Sequence, residues 1–184
     1  MRMLSTLALC FSLPAMGFSQ AANAQDDETV KSPTPCNTAQ HHQFDFWIGD
    51  WTVTSAGQAA GTNSIHPILN GCALQENWQG SGPGGTTGRS FNIYDQATGK
   101  WHQTWVDSSG TLLQLDGGLE GNSMIMQGQR PSPNGTGMTT HRISWTPNPE
   151  GTVRQLWEAS NDGKTWAVLF DGLYQKSGSS NASR

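Results

Sequence analysis

From residue 50 to residue 175 the sequence repeats one pattern, a strand-length run of β-branched and aromatic residues followed by a turn signal. The turn signals combine Gly, Asn, Asp and Pro, which are typical of hairpins. The connections leave no room for the crossover helix of about a dozen residues that parallel strands need. The pattern therefore predicts an all-β fold, a single antiparallel up-and-down barrel without exposed sheet edges. The predicted strands are ten: 50–56, 61–69, 72–79, 88–95, 100–107, 111–118, 122–128, 137–146, 152–159 and 164–175.

An aromatic segment precedes the first predicted strand. Residues 41–53 read His-His-Gln-Phe-Asp-Phe-Trp-Ile-Gly-Asp-Trp-Thr-Val. The pattern allows one short helical turn before Gly49, which ends it. We expect the bulky side chains to plug one end of the barrel, with Trp47, Gly49 and Trp51 as its structural residues.

Two strings carry a resemblance to a known family, Phe-Asp-Phe-Trp-Ile-Gly-Asp-Trp at 44–51 and Trp-His-Gln-Thr-Trp-Val-Asp at 101–107. The Gly-x-Trp of the first string resembles the motif on the first strand of lipocalin-like (calycin) barrels, where the Trp packs at the closed end. The longer strings resemble those of uncharacterised secreted bacterial proteins of this barrel type. The resemblance covers about residues 40–176. It implies a lipocalin-like barrel with a short N-terminal helical plug.

Residues 1–24 have the features of an export signal. Arg2 supplies a positive charge, residues 4–18 are largely apolar, and residues 22–24 read Ala-Asn-Ala, the pattern of a cleavage site. We predict cleavage after Ala24 and a periplasmic or secreted protein. The apolar run is shorter than the roughly 20 residues that span a bilayer. No membrane partner is therefore expected once the leader is removed.

The rest of the chain is long enough for one domain with a substantial core and too short for two ordinary ones. A polar segment with two prolines follows the leader and predicts a flexible linker. The predicted parts are a linker at 25–37, a lipocalin-like barrel domain at 38–176 and a disordered tail at 177–184.

Cleavage of the leader would leave two of the three cysteines, Cys36 and Cys72. In an oxidising compartment such a pair is expected to form a disulfide. The bond would tie the segment before the aromatic plug to the third predicted strand. The alternative is that Cys72, which follows Gly71, is a small buried residue with a free thiol.

Alternation within three predicted strands places a Trp and an amide or carboxylate on the same face, two residues apart. If these faces point inward, they line a pocket with flat aromatic walls and a few polar groups. The alternative is that the Trp residues fill a solid core. The predicted ligand-binding residues are Glu76 and Trp78, Gln103 and Trp105, and Gln155 and Trp157.

Signatures of catalytic and metal sites are weak in this sequence. A buried Glu76 paired with Arg89, Arg142 or Arg154 would be structural more often than catalytic, and no Gly-x-Ser-x-Gly motif occurs. Adjacent histidines diverge on a helical turn, and the others lie on separate strands, so we expect neither a metal nor a cofactor. The histidines are His41, His42, His66, His102 and His141, the last three expected at the rim or surface.

A net charge of −4 without a Lys/Arg cluster argues against nucleic acid as a partner. The sequence favours an exported protein that binds a small apolar or aromatic molecule in the barrel. An enzyme using the same cavity, such as an isomerase, cyclase, hydratase or hydrolase, is the alternative, because fold does not settle function. Carbohydrate binding by exposed Trp residues is a weaker third possibility, and the oligomeric state is left open.

One local string resembles the Asp-box turn of sialidase-type propellers. It spans residues 160–166, lacks one residue of that pattern and occurs once, whereas a propeller needs several blades. We interpret it as a hairpin turn in which Ser160 and Asp162 bond backbone amides.

Overall fold

A computed structural model describes residues 36–133 and 135–178. The predicted leader, residues 25–35 of the predicted linker and residues 179–184 of the predicted tail lie outside this part. No helix in the described residues is long and apolar enough to cross a membrane. The described strands are β1 (Gly49–Ser55), β2 (Gln58–Ile68), β3 (Ala73–Gly80), β4 (Thr87–Asp95), β5 (Lys100–Asp107), β6 (Leu112–Glu120), β7 (Ser123–Pro131), β8 (Met138–Pro147), β9 (Val153–Ser160) and β10 (Ala167–Lys176). The 3₁₀ helices are η1 (Ala39–His42), η2 (Asp45–Trp47) and η3 (Leu69–Gly71).

The ten described strands form one closed antiparallel barrel. Each strand pairs with the next along the chain, and β10 closes the sheet by pairing with β1, where Val53 lies opposite Tyr174. This confirms the predicted all-β up-and-down barrel. Closure leaves no edge strand in this sheet open to pairing with another chain.

The turn before β2 is tighter than the sequence predicted. Ala56 and Gly57 have φ of 48° and 74°, as the two central residues of the tightest hairpin turns require. β2 therefore starts at Gln58 rather than at residue 61.

β10 starts at Ala167, three residues later than the predicted 164. The reason is the predicted Ser-Asp turn, whose side chains do bond backbone amides as expected. Asp162 Oδ1 accepts the backbone N–H groups of Lys164 and Thr165, each at 2.8 Å. These bonds hold the two residues in the turn, outside the β ladder.

An aromatic plug closes one end of the barrel. Phe44, at its centre, stacks on Trp47 with ring centroids 4.9 Å apart and meets Trp101 and Trp145 edge to face. Trp51 donates its indole N–H to the carbonyl of Trp47 at 2.9 Å. The five side chains are at most 2% exposed. They therefore form the closed end of the barrel interior.

Cys36 and Cys72 form a disulfide, which confirms the predicted pairing. Cys72 does not lie in β3, as predicted, but in the turn that ends η3. Leu69 and Asn70 adopt φ of 52° and 57°, a left-handed conformation that interrupts the strand. A structural disulfide is typical of oxidising compartments and points to a location outside the cytoplasm.

Candidate functional site

A cavity of about 190 Å³ lies in the barrel interior. All six residues predicted to bind a ligand line it, so the structure brings Glu76, Trp78, Gln103, Trp105, Gln155 and Trp157 together. The side chains of Trp78, Trp105 and Trp157 therefore border a cavity rather than fill a solid core. The volume is close to that of an engineered cavity of roughly 150 Å³ that holds benzene, and it is below the roughly 300 Å³ of most drug-sized sites. The space accordingly suits a molecule with a single ring.

The aromatic walls of the cavity contact the sheet at glycines that sequence analysis did not single out. A Cβ atom at Gly88 would lie 2.1 Å from the Trp105 ring, closer than such contacts allow. Only glycine therefore lets this indole remain where it is. The same arrangement recurs around the cavity: Trp105 over Gly88, Trp78 over Gly61 and Phe170 over Gly172.

Hydrogen bonds fix the orientation of two of the wall indoles. Trp105 donates its N–H to Asp107 Oδ2 at 3.1 Å, and Trp157 donates to His141 Nδ1 at 3.1 Å. His141 was predicted at the rim or surface but is 9% exposed on the inner face of β8. Burial and the positive charge of Arg130 lower the pKa of His141. A neutral imidazole can accept the indole proton, as this contact requires.

Glu76 lies at the polar side of the cavity and is 4% exposed. Its Oε1 atom accepts Asn63 Nδ2 at 2.7 Å, and its Oε2 atom accepts Ser90 Oγ at 2.6 Å. Burial raises the pKa of this carboxyl to about 7, although the two hydrogen bonds lower it. The charged and neutral forms of Glu76 therefore exchange near physiological pH.

None of the three arginines considered as partners of a buried Glu76 pairs with it. Arg142 pairs with Glu158 at 3.0 Å and Arg154 with Asp171 at 2.8 Å, whereas Arg89 donates to the carbonyl of Gly88 at 2.8 Å. On β4, β8 and β9 the arginines alternate with the residues that point inward. Their side chains consequently lie outside the barrel, where they cannot reach Glu76.

Four further polar residues, which sequence analysis missed, connect Glu76 to the two glutamines. On one side Asn92 donates to Ser90 Oγ at 2.9 Å and accepts Gln103 Nε2 at 2.8 Å. On the other side Asn63 lies 3.4 Å from the hydroxyl of Tyr174, which donates to Gln155 Oε1. Burial raises the pKa of Tyr174 well above its usual value, as does the charge of Glu76, so the phenol keeps its proton.

The stability of the protein is expected to fall by about 3 kcal/mol as the pH rises from about 4.5 to about 7, through Glu76 alone. Its pKa is 4.5 in an ordinary environment and about 7 in the folded barrel. In this window the unfolded state has lost the proton that the folded state still holds, so rising pH favours unfolding. Below it both states are protonated, and above it both are ionised.

The free energy of unfolding of the wild type and of Glu76→Gln is measured in urea at pH 4.5 and at pH 8. The decrease between the two pH values should be larger in the wild type, and the difference between the two decreases is the contribution of Glu76. Glu120→Gln, which removes an exposed carboxylate at the end of β6, is the matched control and should behave as the wild type. Equal pH dependences in the wild type and Glu76→Gln would show that the folded state does not hold the proton.

Among the described residues, no group of three or more His, Cys, Asp or Glu side chains could hold a metal ion. The side chains that line the cavity offer one titrating carboxyl, a protonated phenol, two primary amides and indole faces. Such a set can stack on a ring and exchange hydrogen bonds with its substituents.

The comparison with curated proteins finds no match. A family described as "Protein of unknown function (DUF1579)" matches residues 37–176. The match runs from just before η1 to the end of β10 and so includes the aromatic plug and every lining residue of the cavity. The closed barrel also fits the lipocalin-like resemblance of the sequence. The chain belongs to the DUF1579 family.

Proposed function

We propose that this protein is an exported binding protein that holds a small apolar or aromatic molecule between the Trp walls of its barrel. The observation that carries the proposal is the cavity of about 190 Å³, walled by indole and phenyl rings and lined also by polar groups. Export is supported by the leader-like residues 1–24 and by the Cys36–Cys72 disulfide.

The cavity is suited to a planar ring because its walls are themselves planar and held in place. Trp105 and Trp157 are fixed by their indole hydrogen bonds, and Trp105 is also confined by the backbone at Gly88. A preformed site costs little ordering on binding, which favours affinity for a small ligand. Stacking against two fixed indoles adds roughly 0.5 to 1.5 kcal/mol per pair beyond area burial.

An enzyme acting on a small organic substrate is the second candidate, and one observation favours it. Glu76 lines the cavity with a pKa of about 7, a value that suits a general acid or base. However, both carboxylate oxygens already accept hydrogen bonds, from Asn63 and Ser90. This arrangement suits a residue that organises a binding site better than a general base that removes a proton from a substrate. We therefore prefer the binding function.

Gly88→Ala is expected to weaken the binding of toluene, used as an apolar probe, by about tenfold. The new methyl group would push the Trp105 ring away from the sheet and into the cavity. Toluene affinity is measured by isothermal titration calorimetry. A tenfold loss corresponds to about 1.4 kcal/mol.

The matched control is Gly118→Ala, because Gly118 also lies in a strand but a Cβ atom there would meet no neighbouring atom within 4 Å. This variant should bind toluene as the wild type does. Circular dichroism checks that both variants keep the fold. If toluene does not bind the wild type, or binds Gly88→Ala equally well, the cavity is not the binding site.

A further inference from the structure

The ionised form of Glu76 fixes the direction of every hydrogen bond on its β4 side. A carboxylate only accepts, so Ser90 must donate its single hydroxyl proton to Glu76. Ser90 Oγ can then accept Asn92 Nδ2, which leaves Asn92 Oδ1 to accept Gln103 Nε2. Among the described residues none donates to Gln103 Oε1. Gln103 therefore presents a hydrogen-bond acceptor to the cavity.

The chain of hydrogen bonds on the other side ends with the opposite polarity. Asn63 donates to Glu76, and its amide also lies beside the hydroxyl oxygen of Tyr174. The phenol then gives its own proton to Gln155 Oε1. The remaining group of this amide, Gln155 Nε2, has no acceptor among the described residues. Gln155 therefore presents a hydrogen-bond donor.

The two amides lie on strands that flank an apolar part of the barrel wall. The polar residues lie on β5, β4, β3, β2, β10 and β9, and their ends, at Gln103 and Gln155, are four strands apart. The strands between these ends, β6 to β8, contribute Leu113 and Ile143 to the cavity lining. A ring can rest against this apolar part while its substituents reach the two amides.

We propose that the cavity selects a neutral planar ring that carries both a hydrogen-bond donor and a carbonyl acceptor, as cyclic amides of the pyridone type do. The donor of the ring faces Gln103 Oε1 and its carbonyl faces Gln155 Nε2. This inference rests on the proposed function, that the cavity binds a ring. An anion is disfavoured because Glu76 is negative, and an ammonium ion presents donors only, which would oppose the Gln155 N–H groups.

Calorimetric titrations of the wild type at pH 8.5 with 2-pyridone, 4-pyridone and their N-methyl derivatives test the inference. N-methylation removes the donor and keeps the ring and the carbonyl. At least one pyridone should bind about tenfold more tightly than its N-methyl derivative. In Gln103→Leu the affinities of the pyridone and its N-methyl derivative should differ by no more than about twofold. Gln114→Leu, on the exposed outer side of β6, is the matched control and should keep the wild-type difference.

Two further variants test whether Glu76 sets the polarity. In Glu76→Gln the amide can donate to Ser90, and in Ser90→Ala the link to Asn92 is cut. Either change frees the Gln103 amide to turn, so the ratio between pyridone and N-methylpyridone should fall toward one in each. A variant that only loosened the barrel would weaken the binding of both compounds and leave the ratio of their affinities unchanged. A folded variant, checked by circular dichroism, that keeps the wild-type ratio overturns the role of Glu76.

Toluene separates failure of this inference from failure of the proposed function. If toluene binds but no pyridone is preferred over its N-methyl derivative, the donor and acceptor assignment is wrong. The proposed binding of apolar rings in the cavity is then still supported. If neither toluene nor any pyridone binds, the proposed function and this inference both fail.

Discussion

Replacing Trp51 with alanine is expected to lower the free energy of unfolding by about 3 to 5 kcal/mol, the usual range for emptying a buried aromatic site. Trp51 is 1% exposed and donates its indole N–H to the carbonyl of Trp47. Its ring also lies under the ammonium group of Lys176, 3.9 Å from the ring centre, and meets Tyr174 edge to face. The loss combines this packing with an unsatisfied carbonyl at the closed end. Urea unfolding followed by circular dichroism measures it.

Trp166→Ala is the control of the same residue type. Trp166 is partly exposed in the turn before β10, and the guanidinium of Arg142 covers its ring at 3.9 Å. Its removal should cost about 1 kcal/mol, the value of an exposed cation–π contact. A loss below about 1 kcal/mol for Trp51→Ala would mean that Trp51 does not support the closed end.

Replacing both cysteines with serine is expected to lower the free energy of unfolding by about 3 to 4 kcal/mol. The disulfide closes a loop of 36 residues that contains η1, η2, β1, β2 and η3. Without the bond the unfolded chain gains the conformational entropy of that loop, whereas the strand pairing of the folded barrel remains. Unfolding of the Cys36→Ser, Cys72→Ser protein is compared with that of the oxidised wild type.

Leu69→Ser is the control for this prediction, because Leu69 lies in the same loop, three residues before Cys72, and is 69% exposed. A substitution at such a surface position should change stability by no more than about 0.5 kcal/mol. Equal stability of the double variant and the oxidised wild type would show that the bond does not restrict the unfolded chain.

The architecture of the barrel could be predicted from the sequence because its determinants are local. A two-residue or Asp-containing turn between apolar runs fixes an antiparallel hairpin with little help from the rest of the chain. The bounds that were wrong also have local causes. Ala56 adopts the positive φ that the tight turn before β2 requires, which is unusual for alanine. Asp162 extends the turn before β10 by accepting hydrogen bonds from two backbone amides.

The six predicted lining residues could be found for a similar reason. Side chains two positions apart on a strand share a face, so Gln103 must accompany Trp105 wherever that face points. The sequence alone thus determined which residues share a face of a strand. It did not determine which faces meet in the lumen, and hence whether the indoles would surround space or fill it.

β4 shows what only the tertiary structure decided. A hydrophobic-inside rule would place Phe91 and Ile93 in the core, yet they are 52% and 38% exposed, and the polar Ser90 and Asn92 are fully buried. The register with β3 sets this orientation, because Ser90 lies opposite Glu76 and must share its face. The buried Glu76 carboxyl thereby gains a hydrogen-bond donor, while the two apolar side chains stay at the surface.

The partners of Glu76 were decided in the same way. Asn63 and Ser90 precede and follow it by more than ten residues, and Tyr174 joins them only because β10 closes on β1. Hydrogen bonds between such distant residues depend on strand register and on closure of the barrel, which no local pattern encodes. The sequence therefore determined the strands and the composition of their faces, whereas closure determined the network that polarises the cavity.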